Sequence, residues 1–267
     1  LKHLVVQDIF LTETAWHADV VLPASAHAEK LGTYTNTNRQ VQIGRPCVPM
    51  PGEARADWEL IVELANRLGL DWSYDSVPEI YEEMCSHMAS LDHITWDRLE
   101  RDGTVTYPAD GDDVPGNEIL FGQSFPTADG RGRLVPTDLV PPDELPDDEF
   151  PMVLTTGRML EHWHTGTMTQ RVKQLHNAMP KAYVEFHPAD ASELDIKDGD
   201  RIRVQSRRGS MVLPAWVRGR GMPQRGMVFV PFFDETKLIN EVTLDAYCPM
   251  SKEPDYKKCA VRVEKLS

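Results

Sequence analysis

Short apolar runs separated by polar turns dominate the first part of the chain. Leu4-Val5-Val6 ends on Gln7 and Asp8, and Asp19-Val20-Val21-Leu22 is stopped by Pro23, so each reads as a strand closed by polar or ring-locked residues. Thr12-Glu13-Thr14-Ala15 opens a short helix between them, which predicts a βαβ rhythm and an α/β layer. After a loop over Gly32 to Asn38, Trp58, Leu60, Ile61, Leu64 and Leu68 fall at helical spacing, with Gly69 as the stop. A second helix is predicted over Val77 to Met88.

The pattern fails between Arg101 and Phe150. Asp110-Gly111-Asp112-Asp113, Pro141-Pro142-Asp143-Glu144 and Pro146-Asp147-Asp148-Glu149 offer little to a core, so the stretch reads as a long acidic connector. A hairpin is expected near Asp129-Gly130-Arg131-Gly132. The domain boundary is placed accordingly, with residues 1–145 as one unit and 146–267 as another.

From Phe150 the period becomes two. Strands are expected at Met152 to Thr156, Ala182 to His187, Arg201 to Gln205, Met211 to Arg218 and Met227 to Phe232, with a short helix at Pro188 to Leu194. Many short strands with one-turn helices between them predict a closed β-barrel. The fold class is thus an α/β portion followed by a mostly β domain.

Composition adds a packed core and an acidic surface. The 267 residues are 41% hydrophobic and 26% charged, and 28 Lys and Arg stand against 42 Asp and Glu, a formal charge of -14. That balance argues against a duplex nucleic-acid binder, which needs a basic face to meet phosphates, and leaves room for a local basic pocket. No apolar run reaches the ~18 to 20 residues of a membrane span, and the start lacks a secretory signal layout. Cys47, Cys85, Cys248 and Cys259 form no C-x-x-C pair, so no zinc ribbon or iron–sulfur ligand run is present in this stretch. Isolated thiols favour a reducing, cytoplasmic setting, although a periplasmic enzyme could carry the same set. The opening on Leu1, at the edge of a strand, suggests a natural N-terminus further upstream.

The densest chemistry lies between Thr155 and Thr169. A strand running into Gly157 and then offering Arg158, His162, His164, Thr165 and Thr167 suits an anion, because free backbone N–H groups and a guanidinium fork both favour phosphate. His162 and His164 as metal ligands lack a third partner nearby, and a surface loop around a packed Trp163 is the plainer alternative. Further on, Phe232 and Phe233, then Asn240, Lys257 and Lys258 could bracket a ring and its phosphate, or form a strand cap and a solvated basic run.

The run TGRMLEHWHT (Thr156 to Thr165), with PFFDETKLIN, TLDA and SKEPDYKKCAV, resembles the C-terminal part of molybdopterin-dependent oxidoreductases. The resemblance covers essentially the whole chain. It implies the tail of a Rossmann-like cofactor domain upstream, a double-psi β-barrel downstream, and a molybdenum or tungsten bis-molybdopterin guanine dinucleotide cofactor. The segments VVQDIFLTETAWHADVVLPAS, NTNRQVQIGRP, ITWDRLERDGTVTYP and DEFPMVLTTGR look most like formate dehydrogenase catalytic subunits, while the C-terminal motifs look as much like nitrate reductases.

Position by position, the resemblance puts cofactor contacts on Gln7, Asp8, Lys30, Asp57, Thr156, Gly157, Arg158, Met159, Leu160, Glu161, His162, Trp163, His164, Thr165, Asn240 and Lys257. Phe232 matches a position lining the substrate side. Gln7 departs from the serine expected of nitrate reductases, which weakens its side-chain role. No residue here is a necessary acid–base catalyst or a metal ligand; the metal-ligating Cys or selenocysteine and a 4Fe-4S cluster are expected upstream, where the remainder of the same subunit would lie. Electron-transfer subunits and a small anionic substrate, formate or nitrate, are the implied partners. A non-catalytic pterin-binding module or assembly subunit is the reading from another class, against which the α/β half counts. A nucleotide-binding regulatory protein would need a Gly-rich loop after Val6, and there is none.

Overall fold

The computed structural model describes every residue of the chain except Arg218 and Arg220. It divides into two compact units, Leu1–Val135 and Pro136–Ser267.

In the first unit, β1 (Val5–Asp8) and β2 (Val20–Pro23) pair in parallel, Val5 opposite Val20 and Asp8 opposite Pro23. The connection between them is a single 3-10 turn, Ala15–His17, whose entry is fixed by Ala15 N–H donating to the Thr12 hydroxyl at 3.3 Å. The βαβ rhythm stops there. The expected loop over Gly32 to Asn38 is a hairpin instead: β3 (Gly32–Thr35), β4 (Gln40–Gly44) and β5 (Thr104–Thr106) make an antiparallel sheet. Asn36 accepts the Gln40 N–H on its side chain at 3.0 Å and the Arg39 N–H on its backbone at 2.9 Å, and Arg39 takes the left-handed conformation that closes the turn. The parallel α/β prediction therefore holds for one strand pair only.

Helices α1 (Asp57–Arg67) and α2 (Val77–His87) lie where the apolar spacing put them, with Asp57 and Glu59 in the first turn of α1 and Arg67 in its last, matching the helix dipole. A further helix, α3 (Trp96–Asp102), is capped by Thr95, whose hydroxyl accepts the Arg98 N–H at 3.2 Å, and is ended by Gly103 at positive φ. Val41, Tyr81, Leu91, Ile94, Leu99 and Val105 are among the buried side chains of this unit's core. The connector's first part belongs to that core. Val105 and Ala109 are buried, and the buried Arg98 guanidinium donates to the carbonyls of His93 and Gly111 at 2.8 Å and of Val114 at 2.5 Å, fastening 110–114 in place. The expected hairpin at Asp129-Gly130 is a turn without strands, closed by Phe125 N–H donating to the Gly130 carbonyl at 2.9 Å.

The second unit is the expected closed barrel. Its six strands are β6 (Met152–Gly157), β7 (Val184–Phe186), β8 (Arg201–Gln205), β9 (Ser210–Trp216), β10 (Met227–Pro231) and β11 (Cys259–Lys265), in the order β10-β6-β11-β8-β9-β7. β7 returns to β10, so no edge is left open. Two contacts are parallel, β10 with β6 and β7 with β9; the others are antiparallel. Alternation does the sorting: Met152, Leu154 and Thr156 point inward from β6, and Ile202, Val204, Leu213, Val228, Val230 and Val261 fill the same interior. Helices α4 (Lys173–Ala178) and α5 (Pro188–Glu193) are short. The predicted end of β9 at Arg218 lies outside the described residues. β11, which follows the expected basic run ending at Lys258 and was not predicted, is a full barrel strand.

The unit boundary falls ahead of the expected 145/146, because the end of the connector packs on the barrel. Glu144 and Asp147 pair with Arg207, and Phe150 is buried. Among the described residues no helix is long and apolar enough to cross a membrane.

Candidate functional site

In the barrel, β6 and β10 run side by side in parallel and reach their C-terminal ends together, Gly157 opposite Pro231. The chains leaving those ends stay in contact through Phe232 N–H donating to the Gly157 carbonyl at 3.3 Å. Thr156 points inward, its hydroxyl donating to the Tyr256 carbonyl at 2.8 Å. The Lys257 ammonium donates to the Thr156 carbonyl at 3.1 Å and stands 5.5 Å from the centre of the Phe232 ring. Four of the sequence-predicted positions, Thr156, Gly157, Phe232 and Lys257, are thus brought together across a hundred residues of chain. Gly157 is needed there, because a Cβ would come within 2.7 Å of the Phe229 ring.

The loop that follows divides the rest of the TGRMLEHWHT run by direction. His162 is only 2% exposed. Its ring stacks on Phe233 at 4.3 Å and 22°, Nε2 lies 2.8 Å from the Met179 carbonyl, and Nδ1 lies 3.1 Å from the Thr169 hydroxyl, which also accepts the Trp163 N–H at 3.1 Å. That network closes with the hydrogen on Nε2: Nε2–H donates to Met179, and the Thr169 hydroxyl donates to Nδ1. His162 therefore anchors the loop, and both ring nitrogens are in use. Met159 is half-buried and packs on the barrel core. Arg158, Leu160, Trp163, His164 and Thr165 face outward. Arg158 lies over the Trp163 ring at 5.8 Å, Trp163 meets His164 edge-on at 4.7 Å, and the Thr165 and Thr167 hydroxyls are 3.2 Å apart. His164 and Gly166 both take positive φ, and the Gly166 position is closed by the Gln170 amide, which donates to the Phe233 carbonyl at 2.6 Å.

Beside this loop is a cleft of about 460 Å³ over the outer face of the barrel, walled by Met159, Leu160, Tyr183, Trp216 and Phe229, with Arg158, Glu161 and Glu185 as its charged members. Tyr183 and Trp216 lie 4.6 Å apart, and Glu185, 3% exposed, accepts the N–H groups of Gly221 and Met222 at 3.2 Å each. Tyr183, Glu185 and Trp216 were not predicted; their outward alternation just before and along β7 and at the end of β9 was the available signal, and only the covering loops turn those positions into a cleft.

Asn240 sits on a separate 3-10 turn, Ile239–Glu241, with its side chain exposed and its carbonyl accepting the Thr243 hydroxyl at 3.2 Å.

In the first unit, three of the four predicted positions meet. The Asp57 carboxylate, at the N-terminus of α1, accepts the Gln7 amide at 2.8 Å and pairs with the Lys30 ammonium, which also donates to the Ser25 carbonyl at 2.9 Å. Burial works to raise the Asp57 carboxyl, but hydrogen bonds from Lys30 and Gln7 and the Lys30 charge outweigh it and hold the group below its usual range. Asp8 stands apart, its carboxylate capping the N–H groups of Ile9 at 2.7 Å and Phe10 at 3.3 Å. The Ser25 hydroxyl, next to Lys30's carbonyl partner, is the one buried side-chain polar atom left without a partner among the described residues.

Among the described residues no three His, Cys, Asp or Glu side chains converge as a metal site, and all four cysteines are free thiols. Burial pushes the Cys259 thiol up to about 11 and raises that of Cys85, while at exposed Cys248 the Ser251 hydroxyl and neighbouring N–H groups lower it.

Two family models match the chain: the molydopterin dinucleotide binding domain over residues 152–260 and molybdopterin oxidoreductase over residues 1–67. The chain is 42% identical to the F420-dependent formate dehydrogenase subunit alpha of Methanocaldococcus jannaschii and 40% identical to the F420-dependent formate dehydrogenase 1 subunit alpha of Methanococcus maripaludis, in each case over all of this chain and 39% of the relative's length. The solved structure of acetylene hydratase from Pelobacter acetylenicus superposes with a TM-score of 0.72 at 20% identity, over 99% of this chain and 40% of that one, a likeness of fold.

Proposed function

The chain belongs to the molybdopterin oxidoreductase family, and from that premise we propose that it supplies dinucleotide-binding surface to the molybdopterin cofactor of a formate dehydrogenase alpha subunit. The carrying observation is the pair of cations at the head of β6 and β10. Arg158 and Lys257 are exposed and form no ion pair among the described residues, beside a glycine whose side chain would not fit. Lys30, the one cation offered upstream by the resemblance, is already committed to Asp57. Two cations without a carboxylate partner, beside the mutually bonded and exposed hydroxyls of Thr165 and Thr167, match the donor set a pyrophosphate requires.

In this reading the closed barrel is a double-psi barrel and the upstream layer part of a Rossmann-like domain. Arg158 and Lys257 hold phosphate, while Thr165 and Asn240 bond polar ring edges. Asp57, kept ionised by Lys30, accepts from N–H or hydroxyl donors, and the orphaned Ser25 hydroxyl gains a partner. Phe232, under the Lys257 ammonium, lines the substrate side. When bound, the cofactor supplies the redox chemistry, molybdenum or tungsten with its pterin ligands; the chain's residues bind, orient and neutralise it. The relatives are named as F420-dependent, so F420 is the electron acceptor to assay.

The test is pterin content in the purified holoenzyme. Arg158→Ala and Lys257→Ala should each lower bound molybdopterin and formate-dependent F420 reduction several-fold. The thermal midpoint should move little, because an exposed cation contributes under about 1 kcal/mol to the fold. Unchanged pterin content in both variants overturns the assignment.

A further inference from the structure

The acidic connector has no part in the reading above, yet near its end Glu144 accepts four hydrogen bonds from the barrel unit. Glu144 is 10% exposed. Arg208 grips it as a fork, Nη1 to Oε1 at 2.9 Å and Nη2 to Oε2 at 2.8 Å, and Arg207 adds a bond to Oε1 at 2.9 Å. The fourth donor is backbone: Ala260 N–H, 116 residues away, reaches Oε2 at 2.8 Å. Asp147 completes the strap by pairing with Arg207 while accepting the N–H groups of Glu149 and Phe150, and the Phe150 ring lies 4.5 Å beneath the Arg207 guanidinium.

The other ends of these contacts fall beside the proposed cofactor contacts. Arg208 Nε and Nη2 both reach the Val242 carbonyl at 3.4 Å, and the Cys259 thiol donates to the same carbonyl at 3.5 Å. Gly209 lies so close to the Glu241 carbonyl that a Cβ would sit 2.6 Å from it. Val242 is two residues after Asn240, and Ala260 is three after Lys257. One carboxylate therefore holds both the segment that carries Asn240 and the strand start that carries Lys257.

We propose that Glu144 is a positioning residue for the cofactor-binding face of the barrel, setting Asn240 and Lys257 through Arg207, Arg208 and the Ala260 N–H; this rests on the cofactor reading given above. Neutralising the carboxylate leaves two adjacent guanidinium groups to repel each other and frees the segments they tie.

The experiment compares holoenzyme variants for thermal midpoint and for the rate at which molybdopterin is lost on dilution. Leu213→Ala, in the barrel core, sets the pterin loss that follows from destabilisation alone, and Arg203→Gln removes a surface ion pair with Glu264 on the same barrel. Glu144→Gln should release pterin several-fold faster than Leu213→Ala measured at an equal distance below each protein's midpoint, with Arg203→Gln unchanged. Arg208→Lys, which keeps the charge and loses the fork, should release it at an intermediate rate and serves if Glu144→Gln does not fold. Release from Glu144→Gln or Arg208→Lys no faster than from Leu213→Ala overturns the proposal. In that event, faster release from Arg158→Ala leaves the cofactor reading standing; unchanged release there removes both.

Discussion

The barrel and the upstream unit bury themselves by different means. The barrel closes on itself, and Leu154, Phe186, Ile202, Val204, Val228 and Val261 are sealed within a single core. Upstream, the parallel pair β1–β2 leaves Val5, Val20 and Val21 exposed, and α1 leaves Ile61 and Leu64 exposed, while the buried cluster gathers instead around β4, β5, α2 and α3. The candidate residues follow the same division. In the barrel, apolar closure fixes the backbone and leaves Arg158 and Lys257 with unspent charge. Upstream, Gln7, Lys30 and Asp57 are held by one another. A site on a closed scaffold can keep its cations unpaired, whereas polar residues on a thinly buried layer serve partly as its fastening.

The largest effect that would sharpen or break this contrast is in the cores. Leu154→Ala should cost about 2 to 5 kcal/mol in denaturant unfolding of the chain, against under about 1 kcal/mol for Val20→Ala, whose side chain is 41% exposed. Equal losses would mean the two units are not stabilised differently.

Next in size is the acid response of the barrel. The Arg208 hydrogen bonds lead in holding Glu144 down, assisted by Ala260 N–H and Arg207 and opposed by burial, and the group falls from an ordinary 4.5 to about 2. Its folded value lies below its unfolded one, so the stabilisation is fully present above about pH 4.5 and is lost as pH falls toward 2, amounting to roughly 3 kcal/mol. Comparing the pH dependence of unfolding in the parent and Glu144→Gln isolates that share; parallel curves between pH 5 and 2 would contradict it.

The smallest effect belongs to Asp57. It too is held low, so its contribution is present above the ordinary carboxylate range and fades as pH falls, but its side chain is 40% exposed. Asp57→Asn should therefore change stability by under about 1 kcal/mol at neutral pH while still lowering pterin content. A loss as large as that of Leu154→Ala would place Asp57 among the structural residues instead.

Alternation made the barrel strands legible, since Met152, Leu154 and Thr156 announce one face without any neighbour being known. Helical spacing did the same for α1 and α2. The β3–β4 hairpin was hidden because Asn36 and Arg39 close it with turn chemistry that reads as loop. β11 was hidden by the lysines before it, although Cys259-Ala260-Val261-Arg262-Val263 does alternate in part. Within TGRMLEHWHT, residue types proposed a site but could not divide its labour: His162 turns inward onto Phe233 and Met179, while Arg158 stays out.

The sequence by itself determined most of the barrel strands, the helices α1 and α2, and which family the motifs resemble, and it offered a candidate anion site, because those properties depend on residue type and short spacing. Tertiary structure decided which polar groups remain available. Lys30 is consumed by Asp57, His162 by Met179 and Thr169, and Glu144 by two arginines and a backbone N–H more than a hundred residues away. Burial and hydrogen-bond partners are set by closure of the chain on itself, and a carboxylate drawn from a run of prolines and aspartates acquires its role only when the barrel brings Arg207, Arg208 and Ala260 around it.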